Sequence, residues 1–327
     1  MRGNCAAVFV RRALLAALLA GAVLLPHTRA RGAEPAQSGP RPPQAQVPVP
    51  GVVVQAPEPR FVAPTRRDQI GRIWAPVMID GRGPFRLVLD TGASGSAIIA
   101  QVATTLGLTP DLSHPVLVRG VTGNAVVPTI HADSLRVGDL EVRSVTLPII
   151  ADALGGAQGV LGTDGLSDKR IEIDFLHDRI TIARSHGRSA PIGFITLSLE
   201  RSGPGLLMVR GSVDQVKVHA VIDTGAQRSI GNEALRAALV SRHAQGTPDR
   251  IFDVTTAVQS GEMFISPPIV LGDIEIHGAR ITYGEVRIFE HWHLTREPAL
   301  VIGMDALGLL DSLIIDYRLR ELQLRPH

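Results

Sequence analysis

The chain says nearly the same thing twice. Leu87-Val88-Leu89-Asp90-Thr91-Gly92-Ala93 is matched by Ala220-Val221-Ile222-Asp223-Thr224-Gly225-Ala226. Leu135 to Val142 (Leu-Arg-Val-Gly-Asp-Leu-Glu-Val) is matched by Ile269 to Ile276 (Ile-Val-Leu-Gly-Asp-Ile-Glu-Ile). Gly159-Val160-Leu161-Gly162-Thr163-Asp164 pairs with Leu300-Val301-Ile302-Gly303-Met304-Asp305, and Ile171 to Phe175 with Leu313 to Tyr317. The order is the same in both halves. Asp90 to Gly138 is a step of 48 residues, and Asp223 to Gly272 a step of 49. Four blocks in register make a tandem duplication, which restricts the fold to two related units facing each other. The boundaries read as 68–188 and 192–327, joined near Ser189-Ala190-Pro191.

Most blocks read as strands. Arg72 to Ile79 is rich in β-formers, runs into an Asp80-Gly81 turn, and is followed by a second run ending at Leu89. The second half repeats this with Leu206 to Val213, Asp214-Gln215, and Val216 to Ile222. Helical spacing occurs once per half, at Ala100 to Leu106 before Gly107, and at Asn232 to Leu239 with Asn232 as its cap. The expected class is all-β, two pseudo-symmetric lobes with one short helix each.

Each Asp-Thr-Gly follows three apolar strand residues, so each carboxylate sits at the end of a buried strand. A single buried carboxylate is costly to ionise. Two of them, brought together by pseudo-symmetry, share a proton, since close like charges cannot both form readily. One then acts as base toward a water while the other acts as acid toward a carbonyl oxygen. Gly92 and Gly225 lack a Cβ and let the two turns approach. Thr91 and Thr224 are placed to hydrogen-bond across to the opposite lobe.

These residues resemble the retropepsin-like aspartic proteases, in the bacterial form with both lobes in one chain. The family pattern is two apolar residues before Asp-Thr-Gly-Ala, then an apolar-apolar-Gly segment forming the ψ-shaped loop. Here the latter is Val160-Leu161-Gly162 and Val301-Ile302-Gly303. The likeness covers about residues 70–325. It implies endopeptidase activity with Asp90 and Asp223 catalytic, a polypeptide substrate, no metal and no organic cofactor. One chain supplies both aspartates, so a monomer could be active, and the duplication does not exclude dimers. The likeness also implies flaps over the cleft. Gly120-Val121-Thr122-Gly123 fits the tip of the first, and Val258, Gln259 and Ser260 are assigned to the second. Ala93 and Ala226 stand where pepsin-like enzymes carry a hydroxyl, which implies a less acidic working range. The rival reading is a non-catalytic peptide-binding module on the same fold. Both Asp-Thr-Gly triplets being intact counts against it.

Other candidates reduce to structure. Asp164 and Asp305 follow the ψ-loop glycines and read as turn acceptors. Asp174 and Asp316 read as strand-end residues. Arg228 reads as pointing to solvent. His291-Trp292-His293, with Glu290 alone to add, is a poor metal set, and Trp292 reads as packing beneath the second lobe's loop. The single cysteine, Cys5, excludes an intramolecular disulfide and a cysteine metal site. Aromatics are 4% and form no pattern with basic runs, so no nucleic-acid partner is expected.

Residues 1–33 read as a signal peptide. They contain five Arg and no acid, and Ala13 to Leu25 is an apolar run of 13 residues, short for a membrane span. Cleavage after Ala30 leaves Thr28 and Ala30 at the −3 and −1 positions, and cleavage after Ala33 leaves Arg31 at −3, a poorer fit. Without residues 1–33, the 33 basic and 31 acidic groups become 28 and 31, so the basic isoelectric point reflects the leader. The expected location is secreted or periplasmic, with an N-terminal membrane anchor as the alternative. Residues 34–67 follow as a Pro-rich extended linker, with nine of the 23 prolines between 34 and 65.

Overall fold

A computed structural model describes residues 7–10, 62–64, 72–202, 206–240 and 244–327. The fold is all-β, of the retropepsin-like type with few and short helices. The apolar run at 13–25, the cleavage site and most of the Pro-rich segment lie outside the described residues. No helix among the described residues is long and apolar enough to cross a membrane.

The two halves order their strands in the same way. In the first half, a seven-stranded sheet runs in the order Trp74–Ile79, Arg82–Leu89, Gly159–Leu161, Ala97–Ile99, Leu140–Ile150, Asn124–Val137, Asp111–Arg119. The second half repeats this path with Leu206–Val213, Val216–Ile222, Ala299–Ile302, Ser229–Gly231, Arg280–Gly284, Val258–Ile265 and Thr247–Phe252. Met78 pairs with Arg136 and Ile79 with Leu135, as Ser212 pairs with Val270 and Val213 with Ile269. The first half makes its outer hairpin from two long continuous strands. In the second half those strands are broken at Ser266-Pro267-Pro268 and Gly278-Ala279. Proline donates no ladder hydrogen bond, and Gly278 turns with a φ of 68°.

Both predicted hairpins form, Asp80 and Gly81 taking the left-handed values of 49° and 71° that a tight hairpin turn needs. Both predicted helices form, at Ala100–Leu106 and Glu233–Leu239. Gly107 ends the first at φ 69°, and Asn232 caps the second by accepting the Leu235 N–H at 2.9 Å. Two further helical turns, Ile288–His291 and Met304–Leu307, depart from the expectation of one helix per lobe. At four residues each, they are too short to show a helical period in the sequence.

A six-stranded sheet ties the halves together, in the order Ile195–Ser198, Glu321–Pro326, Leu310–Asp316, Lys169–Asp174, Arg179–Arg184, Val62–Pro64. Its central pair crosses between lobes, with Ile171 opposite Ile315 and Ile173 opposite Leu313. Alternate residues of Lys169–Asp174 are buried, as a half-covered strand requires. Val62–Pro64 belongs to the segment read as linker, yet it adds the outer strand. An edge position tolerates proline because one side of the ladder is unpaired. Ala7–Val10, inside the segment read as a signal peptide, likewise adds an edge strand beside Ile274–His277; Ala-Val-Phe-Val is a good β sequence facing an open edge.

Candidate active site

Each aspartate is delivered by one geometry used twice. Arg82–Leu89 lies parallel to Gly159–Leu161, and Val216–Ile222 parallel to Ala299–Ile302. The ladder continues one residue further, where the Asp90 N–H donates to Leu161 O at 2.9 Å and the Asp223 N–H to Ile302 O at 3.0 Å. The carboxylates are then held by their own turns. Asp90 Oδ1 accepts the Gly92 and Ala93 N–H groups, both at 2.9 Å. Asp223 Oδ1 accepts those of Gly225 at 2.8 Å and Ala226 at 3.1 Å.

The two turns meet across the pseudo-twofold axis. Thr91 Oγ1 donates to Ile222 O, and Thr224 Oγ1 to Leu89 O, both at 2.6 Å. The Thr224 N–H donates to Thr91 Oγ1 at 3.1 Å, and the Thr91 N–H to Thr224 Oγ1 at 3.3 Å. The glycines show how close the lobes come. A methyl on Gly92 would lie 2.6 Å from Asp223 Oδ2, and one on Gly225 would overlap the Asp90 carboxylate. Each carboxylate therefore packs on the opposite lobe's glycine.

Burial, followed by the negative charge of Asp223, holds the Asp90 pKa well above the ordinary carboxylate value. Burial also raises Asp223, opposed by its two turn N–H groups, by a hydrogen bond with Asp90 and by the positive charge of Arg72. The pair titrates as a unit and keeps a proton above the usual range. Arg72 was not singled out in the sequence. It is 8% exposed, lines the cleft and donates to Leu154 O at 2.8 Å. Nothing in its neighbourhood in the chain marks it, because it precedes the strands it serves.

The support beneath the dyad is a second missed feature. Ser96 Oγ donates to Asp164 at 2.8 Å and accepts the Gly162 N–H at 3.1 Å. Ser229 does the same with Asp305 at 2.9 Å and the Gly303 N–H at 3.2 Å. The ψ-loop glycines pass against backbone, where a Cβ on Gly303 would sit 2.7 Å from Arg228 O. Both serines stand at the same step after their aspartate, a signal the repeat carried. Asp164 and Asp305 are thus acceptors within the scaffold. Asp174 accepts the His177 N–H at 3.1 Å and Asp316 the Leu319 N–H at 2.9 Å, each closing a turn at a strand end.

Above the dyad, Gly120-Val121-Thr122-Gly123 caps the hairpin between Asp111–Arg119 and Asn124–Val137, with the Gly120 N–H bonded to Gly123 O at 2.8 Å. The second hairpin turns at residues 253–257, earlier than expected. Val258, Gln259 and Ser260 lie on the returning strand, opposite Phe252, Ile251 and Arg250. Of these three, Ser260 lines the cleft. The turn was misplaced because it carries no glycine; Thr256 takes a φ of 63° instead. The two tips touch. The Thr122 N–H donates to Asp253 Oδ2 at 2.7 Å and Thr122 Oγ1 donates to Ala257 O at 2.9 Å.

Between dyad and tips lies a cleft of ≈ 1730 Å³, with Asp90 and Asp223 in its floor and Gly120 and Val121 in its roof. That exceeds a small-molecule pocket of about 300–1,000 Å³ and leaves room for several residues of extended chain. Arg228 is exposed over half its side chain, but it faces this cleft and is paired with Asp249 at 2.5 Å instead of standing free in solvent. Trp292 is half-buried at the cleft edge, edge-on to Phe289 with ring centres 6.1 Å apart.

A family model described as aspartyl protease matches residues 75–164. The matched residues lie in the first lobe, which is similar to the retropepsin-like aspartyl protease family. The matched segment contains Asp90, the first flap and the ψ-loop through Gly162. A protease-type function follows from this match. No curated protein matches the chain.

Proposed function

We infer that this retropepsin-like chain is an aspartic endopeptidase, with Asp90 and Asp223 as its catalytic pair. The observation that carries the reading is the reciprocal seat of each carboxylate on the other lobe's glycine, at the floor of a peptide-sized cleft. A water held between the carboxylates loses a proton to the ionised member as its oxygen attacks the scissile carbonyl carbon. The protonated member gives its proton to the carbonyl oxygen, leaving a neutral gem-diol. Collapse of the gem-diol breaks the C–N bond: one of its hydroxyls returns a proton to the now ionised member as the carbonyl reforms, and the proton taken from water passes from the other member to the departing nitrogen. The substrate lies extended beneath the flaps, held by main-chain hydrogen bonds as in strand addition. Thr91, Gly92, Thr224 and Gly225 position the pair, and Gly162 and Gly303 let the ψ-loops pass below it. The leader-like residues 1–33 support action outside the cytoplasm, secreted or periplasmic. One chain carries the whole pair and would act as a monomer.

The test is cleavage of a diverse peptide pool between about pH 4 and pH 7, a window chosen to bracket a raised carboxylate pKa. Asp90→Asn and Asp223→Asn variants run alongside. Cleavage by the parent and loss in both variants is the expected result. A folded parent that binds peptides without cutting any would replace the reading with a peptide-binding module.

A further inference from the structure

The cleft is not electrically uniform. Two of its arginines are occupied inside the protein: Arg228 with Asp249, and Arg72 with Leu154 O. A second group is not. Arg119 stands at the base of the first flap tip, while Arg287, His291 and His293 stand around the short helix Ile288–His291, and all four line the cleft. Arg119, Arg287, His291 and His293 make no ion pair with any carboxylate among the described residues.

Flap and helix are held together. The Ile288 N–H donates to Val121 O at 3.3 Å, and Val121 and Trp292 pack on the same apolar cluster. Burial, then the positive charges of Arg119 and His293, hold the His291 pKa below its ordinary value, as expected of cations that share one neighbourhood. Glu290, on the same helical turn, is exposed and also lines the cleft. Arg250 and Asp253 line it too, the Asp253 carboxylate being taken by the Thr122 and Thr255 N–H groups. The result is a rim with two permanent positive charges beside an apolar patch of Val121 and Trp292. A guanidinium fork matches a carboxylate, and an apolar patch suits the methylenes of an acidic side chain. Low-dielectric cleft walls concentrate the field of such a group.

We propose that Arg119 and Arg287, with His291 and His293 beside them, form a subsite that selects peptides carrying a Glu or Asp side chain at one end of the cleft. The proposal rests on the reading of the cleft as a peptide site, but not on its chemistry, and the test separates the two. The full chain carrying Asp223→Asn is used so that bound peptide is not turned over. Fluorescent octapeptides of a neutral host sequence, with Glu or Gln at each position in turn, are titrated by anisotropy.

One or two adjacent positions should favour Glu over Gln by about fivefold, the upper range of a partly exposed ion pair. The preference should vanish in an Arg119→Gln/Arg287→Gln double variant and in about 1 M salt, where the screening length is near 3 Å. Binding of the all-Gln peptide should be unchanged by the double variant, which shows that the cleft is intact. Equal binding of Glu and Gln peptides at every position overturns the proposal, as does a preference that survives the double variant. Binding of no peptide overturns both the subsite and the peptide cleft. Acid-selective binding together with an inactive parent would leave the subsite standing and remove only the proteolysis.

Discussion

Replacing Thr224 by Val removes a hydroxyl and leaves the shape of the side chain nearly intact. Thr224 is fully buried, so water cannot take the hydroxyl's place. Two groups lose their partner: Leu89 O, now bonded at 2.6 Å, and the Thr91 N–H, bonded at 3.3 Å. An unsatisfied buried polar group costs about 1–3 kcal/mol. The first of these bonds is short and the second long, so the sum is about 2–4 kcal/mol. Leu89 and Thr91 flank Asp90, so loosening them also displaces the carboxylate, and small misplacements of reacting groups cost about 100-fold in rate. Urea unfolding of the parent, Thr224→Val and Thr224→Ser proteins reads the stability term, and peptide hydrolysis reads the rate. The Ser variant keeps the hydroxyl and should retain most of both. A Val variant within about 0.5 kcal/mol of the parent, or a Ser variant as damaged as Val, would refute the view that these hydroxyls hold the lobes in place.

Gly225→Ala should abolish measurable peptide hydrolysis, at least about 100-fold, because the new methyl meets the Asp90 carboxylate; normal turnover would show that the turns do not pack as described. The raised pKa of Asp90 means the folded state holds a proton that the unfolded chain releases near pH 4. That stabilisation is complete below the unfolded value and is lost as pH rises through the folded one. Wild type should therefore lose stability relative to Asp90→Asn between about pH 4 and neutrality, and parallel urea midpoints across that range would contradict the assignment. Asp253→Ala removes the acceptor of the Thr122 N–H, and hydrogen exchange at residues 120–124 should accelerate while the dyad turns stay protected. Unchanged exchange at the tip would mean the flaps do not meet in solution.

The dyad, its glycines, the crossing threonines and the ψ-loops were legible because each occurs twice, and a repeat turns local pattern into pseudo-symmetric geometry. The two main helices were legible from Gly107 and Asn232 at their ends. What escaped shares one physical cause, which is pairing across distance in the chain. Asp253 meets Thr122 across 131 residues, and no local pattern announces an acceptor that serves another hairpin. Arg72 acts on Asp223 from the first lobe. Val62–Pro64 reads as linker by its prolines and becomes a strand only because Arg179–Arg184 offers an edge. The second flap tip was displaced because its turn uses Thr256 at positive φ where a glycine was sought.

The six-stranded sheet has a consequence for how the molecule is assembled. Each lead-in strand pairs with the last strand of its own repeat, Val62–Pro64 with Arg179–Arg184 and Ile195–Ser198 with Glu321–Pro326. Within that sheet, backbone pairing between repeats is confined to Lys169–Asp174 against Leu310–Asp316. In this sheet the two halves meet as two subunits would, along a seam two strands wide. The tether between the halves sets the concentration of one half around the other. A nick there would convert a fixed pairing into one that depends on dilution, and turnover would then report whether two separate halves had found each other.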